Sequence, residues 1–211
     1  MKSLALTFLA AAVLCGCATN PKWKQQVFAF SLPAPPDAAP AGTNIVSLSR
    51  VSISPLFQNR SFTYKTGANT YERDPYADFS IAPERALGEV IRAWMYRSGA
   101  FGKVAEPGSS LTPTLIAEVS VSDLYGNFQK GSPPAGVMRM HFMIYEVSDG
   151  VPGRIVLDKT CARETALARK TPGALMAAWD KNLGEIMEEV ASDYAKATAN
   201  QPKVAHSVTT P

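Results

Sequence analysis

Histidine and cysteine are scarce in this chain, two and three residues respectively among 211, and that shortage excludes much chemistry before any positive feature is weighed. Histidine is the side chain most used for proton transfer near neutral pH. His206 lies near the C-terminus in a stretch with no apolar period, and His141 shares a strand face with Arg139, Met143 and Tyr145. No nucleophile-elbow sequence accompanies His141, so it is expected to be a hydrogen-bonded or exposed sheet residue. Metal sites need clustered ligands, and no His/Cys grouping has such spacing. No Walker loop or GxGxxG is present to cradle a phosphate. Lys and Arg number 21 against 18 Asp and Glu, without a basic cluster, so the electrostatic footprint of a nucleic-acid binder is missing. Beyond residue 16 there is no apolar run of the roughly 20 residues that a spanning helix needs. These absences predict a protein that is not an enzyme, with no catalytic residue, metal or cofactor.

What is present begins at Leu14-Cys15-Gly16-Cys17. Lys2 supplies a positive start, and Leu4 to Val13 forms an apolar stretch of signal-peptide length, too short for an ordinary transmembrane helix. A small residue, Gly16, stands just before a thiol. The segment resembles a bacterial lipoprotein signal, in which cleavage after Gly16 frees Cys17 for acylation. Cys15 is the poorer acceptor, because bulky Leu14 would then stand before the cut. Buried acyl chains contribute about 0.8 kcal/mol per CH2, so several on one cysteine make a durable anchor. Loss of residues 1–16 removes Lys2 alone from the charge count, taking the formal net charge from +3 to +2. With Cys17 acylated, Cys161 has no disulfide partner. Cys161 itself is expected to be a small, semi-buried side chain on the last strand. By the sorting rule of such lipoproteins, Ala18 rather than Asp favours the outer membrane.

The expected organisation is therefore a signal peptide (1–16), a tether (17–26), one folded domain (27–197) and a disordered tail (198–211). Strands are predicted over Val27–Leu32, Asn44–Ile53, Ser61–Thr66, Thr70–Phe79, Phe101–Ala105, Thr112–Leu124, Val137–Val147 and Arg154–Ala166. Pro33–Gly42 is a Pro/Ala-rich connector that cannot pair in a sheet. Gly67-Ala68-Asn69 reads as a hairpin turn, on the ground that Gly and Asn tolerate positive φ. Pro75 makes the second arm an edge strand or an irregular one. Pro83 starts a helix that Gly99 stops, with Leu87, Val90, Ile91, Trp94 and Met95 on one stripe. Thr171-Pro172 starts a second, running to about Ala197. The order of elements predicts an α+β two-layer sandwich: a mixed, mostly antiparallel sheet with both helices on one face.

Aromatics crowd one segment: Phe57, Phe62, Tyr64, Tyr71, Tyr76 and Phe79. Phe62 and Phe79 are expected to fill the core under the first helix while tyrosines cover its rim. The exposed remainder offers a partner-binding or self-association surface, for which Tyr64, Tyr71, Tyr76 and Phe79 are the candidates.

Phe62-Thr63-Tyr64-Lys65, Tyr71, Asp74-Pro75-Tyr76 and Phe79, followed by Pro83 and the Leu87–Phe101 helical stretch, resemble the ABC-type transport auxiliary lipoprotein family. That family often has tryptophan where Phe79 stands. The resemblance implies an outer-membrane lipoprotein facing the periplasm, a non-catalytic partner of an inner-membrane ABC or MCE-type system that moves phospholipids or similar hydrophobic molecules between the two membranes. It is compatible with a ring-like homo-oligomer. Two other readings stay open at this point: an envelope-assembly lipoprotein that partners an outer-membrane β-barrel, and a stand-alone lipid-binding lipoprotein with an apolar cavity between sheet and helices.

Overall fold

The computed structural model describes residues 24–33, 35 and 38–199. Cys17, the signal peptide, nearly all of the expected tail and most of the tether lie outside the described residues. Eight strands are described: β1 (Gln26–Phe28), β2 (Ile45–Ile53), β3 (Ser61–Lys65), β4 (Tyr71–Phe79), β5 (Lys103–Ala105), β6 (Leu115–Asn127), β7 (Ala135–Ser148) and β8 (Val151–Ala166). Two helices are described beside them, α1 (Pro83–Ser98) and α2 (Pro172–Ala199). The predicted α+β architecture is the observed one.

β6 is the spine. Its whole length pairs antiparallel with β7, which pairs antiparallel with β8. Along its other edge β2 and β3 lie end to end, both parallel to it: β2 beside Leu115–Val121 and β3 beside Gly126–Asn127. β5 extends the sheet beyond β2, and β4 and then β1 extend it beyond β3. The sheet is mixed, and its long ladders are antiparallel.

Period-two alternation builds the core. Leu115, Ala117, Val119 and Val121 of β6 are buried, in register with Ile144, Phe142 and Met140 of β7 for the last three. A bulge at Ser122–Asp123 then shifts the phase by one, so that Leu124 and Gly126 take over the inward positions. β2 does the same: Val46 and Leu48 point inward, a bulge at Ser49 intervenes, and Val51 and Ile53 regain the inward face. The predicted strand looked only loosely alternating because the alternation is broken by one extra residue.

Both helices lie on this inward face. α1 follows Pro83 at its first position and ends at Gly99, whose φ of 62° is left-handed. A Cβ there would meet the carbonyl oxygens of Ala38 and Ala39 at 2.7 and 2.6 Å, so glycine is required on two counts. α2 is capped by Thr171, whose Oγ1 accepts from the Ala174 N–H at 3.3 Å. Its first turns rest on Gly126 and Gly136, where a Cβ would come within 2.9 Å of Leu175 Cδ2 and of Ala178 Cβ respectively. Asn182, fully buried, ties the helix down: its amide donates to Gly136 O at 2.8 Å and accepts from Thr165 Oγ1 at 2.7 Å. The connector after β1 crosses this layer. Ser31 N–H donates to Asp180 of α2, and the Ala38 and Ala41 N–H groups donate to the Arg97 and Gly99 carbonyls at the end of α1.

Three expectations need correction. Phe62 and Phe79 pack under Trp179 of α2, at 4.9 and 5.5 Å between ring centroids, and not under α1. The order of elements gave no register for the hairpin, and it is β3 pairing with the end of β6 that carries it beneath the second helix. The turn after β3 closes without positive φ at Gly67 or Asn69. Positive φ is used instead at Asp149-Gly150 (53° and 77°), a two-residue turn that starts β8 at Val151 rather than Arg154.

Candidate functional site

The aromatic hairpin deals its rings to both faces of the sheet because side chains alternate along a strand. On the helix side, Phe62 packs on Phe79 (4.7 Å between centroids) and both meet Trp179, while Tyr64 stacks on Phe128 at 4.7 Å. On the opposite side, Tyr71 and Phe57 pack with Tyr125, and the Lys65 ammonium lies 5.8 and 5.7 Å from the Tyr71 and Tyr125 ring centroids.

Asp74 organises the irregular part of β4. Thr63 pairs with Arg73 but Ser61 pairs with Asp78, so residues 74–77 bulge out opposite Phe62. Asp74 Oδ1 accepts from the Tyr76 and Ala77 N–H groups at 2.8 and 3.0 Å, and its Oδ2 accepts from the Tyr64 hydroxyl. Pro75, which has no N–H to offer a ladder, sits at the top of this turn. Burial, then the bond to the Asp74 carboxylate, holds the Tyr64 phenol well above its ordinary range. It is a neutral donor that locks the bulge and positions what the bulge displays.

The bulge displays Tyr76, which is 42% exposed. Tyr64 and Tyr71 are half-buried and Phe79 is buried at 2%. Of the four candidate contact residues, then, Tyr76 offers surface, two offer ring edges, and Phe79 belongs to the core. Sequence reasoning missed Tyr125 and Phe128, which complete the two ring clusters. The alternation visible in the sequence ends at Leu124, whereas β6 continues through Asn127 beyond its bulge.

The open face of the sheet, turned away from the helices, carries polar residues in lateral rows. Arg50, Ser52, Glu118, Ser120, His141 and Met143 line a shallow depression of about 330 Å³. His141 Nε2 lies 2.7 Å from Asp158 Oδ1, Arg139 donates to Asp123 at 2.9 Å, and the Tyr145 hydroxyl donates to Glu118 at 3.2 Å. Ser120 is in register with His141, yet among the described residues no hydroxyl is hydrogen-bonded to that imidazole. The His–Asp pair therefore has no nucleophile in its grip.

Cys161 points inward from β8 and is buried. Its thiol is pushed up to about 11, first by burial and then by the nearby Glu189 charge, so at neutral pH it is not a thiolate nucleophile. Among the described residues, no three His, Cys, Asp or Glu side chains are grouped as a metal site would require, and no helix is long and apolar enough to cross a membrane.

No family model matches the chain, and no curated protein matches it. Solved structures do. Protein XCC0632 from Xanthomonas campestris, of the family DUF330, superposes with a TM-score of 0.70 at 14% identity, over 82% of this chain and 97% of that one. The fold is shared. A second, uncharacterized protein gives a TM-score of 0.64 at 11% identity, over 81% of this chain and 98% of the other. The likeness to XCC0632 extends over nearly the whole of that chain.

Proposed function

We propose that this chain is an envelope lipoprotein of the ABC-type transport auxiliary family, PqiC-like, anchored through acylated Cys17 at the periplasmic face of the outer membrane. In this reading it is a non-catalytic subunit that serves an ABC or MCE-type system moving phospholipids or similar hydrophobic molecules between membranes. The observation that carries the reading is the coincidence of two independent features: a lipobox ahead of the domain, and a domain whose fold is that of a DUF330 protein.

Two points of physical chemistry support a non-catalytic role, and a third supports docking. The His141–Asp158 pair is solvent-exposed and engages no hydroxyl. The Cys161 thiol is buried and protonated. The space between sheet and helices is filled by Phe62, Met138, Met140, Trp179, Leu183, Ile186 and Met187, each essentially inaccessible, which favours a docking role over carriage of lipid inside the fold. The test is direct. Growth on labelled palmitate should label the wild-type chain and not Cys17→Ser, and crosslinking from position 71, at the Phe57–Tyr125 cluster of the open face, should capture an MCE-type protein in whole envelopes. A captured outer-membrane β-barrel protein would instead support an envelope-assembly role.

A further inference from the structure

We infer that the β1–β4 edge of the sheet, with Val27 and Tyr76 at its surface, lies against the phospholipid surface to which the chain is anchored. The inference rests on the acylation of Cys17 proposed above and adds an orientation to it. Lys24 is the first described residue, and the seven peptide steps from Cys17 to Lys24 span at most about 25 Å. The chain therefore enters the fold, at β1, close to the lipid.

Strand directions then decide which end of the molecule is near. β1 is parallel to β4, β4 antiparallel to β3, and β3 parallel to β6 beside its last residues, Gly126–Asn127. The tether thus enters on the half of the sheet where β6 ends. The Asp149-Gly150 turn lies at the opposite end, because β7 runs back along the whole of β6. At about 3.3 Å per residue the 13-residue β6 is some 43 Å long, well beyond the reach of the tether. The molecule cannot stand on its β7–β8 turn, so the exposed apolar residues there, Val151 and Ile155 (65% and 52%), face away from the lipid.

Val27 (57% exposed) and Tyr76 (42%) are the large exposed hydrophobic side chains beside the point of entry. They share one face, since Val27 is level with Asp78, two residues beyond Tyr76, while Ala77 and Phe79 are buried. The carboxylate beside them is not bare: Gln25 Nε2 donates to Asp78. An aromatic ring with a polar tip suits the headgroup level of a bilayer.

The test uses the full chain, purified from membranes and reconstituted into vesicles of phosphatidylethanolamine and phosphatidylglycerol. In a Cys161→Ala background, an environment-sensitive fluorophore is attached singly at Val27→Cys, Tyr76→Cys or Ile155→Cys, and an intact mass reports acylation of Cys17. The expected result is a blue shift and loss of emission to headgroup-linked quenchers at positions 27 and 76, and neither at 155. Vesicle-bound, acylated protein with unresponsive labels at 27 and 76, or with the response at 155, overturns the orientation alone. A shift that precedes the addition of vesicles reports a protein contact and also overturns it. A mass showing Cys17 unmodified overturns the anchoring and this orientation together.

Discussion

The two faces of the sheet are made by the same strands, one residue apart, and they could hardly differ more. On β6 and β7 the inward row is Ala117, Val119, Val121, Met140, Phe142 and Ile144, sealed by both helices. The outward row is Glu118, Ser120, Arg139, His141 and Met143, with solvent over most of it. Apolar area removed from water stabilises a fold by about 25 cal/mol per Å², whereas exposed polar pairs contribute little. Stability is therefore concentrated on the helix side, and little of it should depend on the outward rows.

The sharpest way to break this comparison is at Trp179, where α2 meets Phe62 and Phe79. Trp179→Ala should cost about 3–5 kcal/mol, read as a lowered midpoint in guanidinium denaturation. Trp179→Phe should cost much less than the lost ring area suggests. The buried indole N–H has no hydrogen-bond partner among the described residues, and a phenyl ring removes that unsatisfied donor. Next comes Asn182→Ala, which strands the Gly136 carbonyl and the Thr165 hydroxyl. A loss of about 1–3 kcal/mol is expected, the usual consequence of leaving buried polar groups unpaired. If both substitutions were nearly neutral, the helix side would not be what holds the molecule together.

The covered face was the legible one. Alternation in β6 and β7, the Pro83 and Gly99 limits of α1, and the Thr171 cap of α2 all follow local rules that need no tertiary information. What the sequence showed without explaining was the phase break within Ile45–Ile53, where Leu48 and Val51 are three residues apart, because a bulge is only recognisable once a partner strand supplies the register. Phe79 looked like a candidate contact for the same reason. Its burial is set by Trp179, a hundred residues further on in a different element. Nothing in the sequence marks Asp74 as the residue that builds the bulge presenting Tyr76, since an Asx-type turn in mid-strand has no pattern of its own.

On the helix side, a charged seam runs where β8 meets α2. Lys159 lies 2.8 and 2.9 Å from Glu189 and Asp193, and Arg163 also pairs with Glu189 and reaches Glu185. Hydrogen bonding from Lys159, then from Arg163, holds the Glu189 carboxyl below its usual range. A carboxylate whose folded-state pKa is depressed contributes stability above its unfolded value, about 4.3, and loses it as pH falls through the folded value. Thermal stability should therefore decline as the pH drops below about 4.3, and Glu189→Gln should flatten that decline while lowering stability at neutral pH. The effect should be smaller than that of Asn182→Ala because the network is partly solvated. A pH profile unchanged by Glu189→Gln would show that the seam does not couple the helix to the strand.

The smallest effect is expected on the open face, and it is the most telling. Arg139 pairs with Asp123 beside the bulge of β6, and the two side chains are 54% and 28% exposed. An ion pair in that setting is worth about 0–1 kcal/mol, so Arg139→Ala should move the denaturation midpoint by little more than experimental error. His141→Ala should behave alike, because Asp158, left without the imidazole, remains open to water. A loss of more than about 2 kcal/mol for either would exceed what surface substitutions ordinarily cost and would mean that the outward rows are part of the framework. Near-neutral stability combined with loss of envelope crosslinks would place the recognition surface on this face, since a side chain the fold can do without would then be one that a partner cannot.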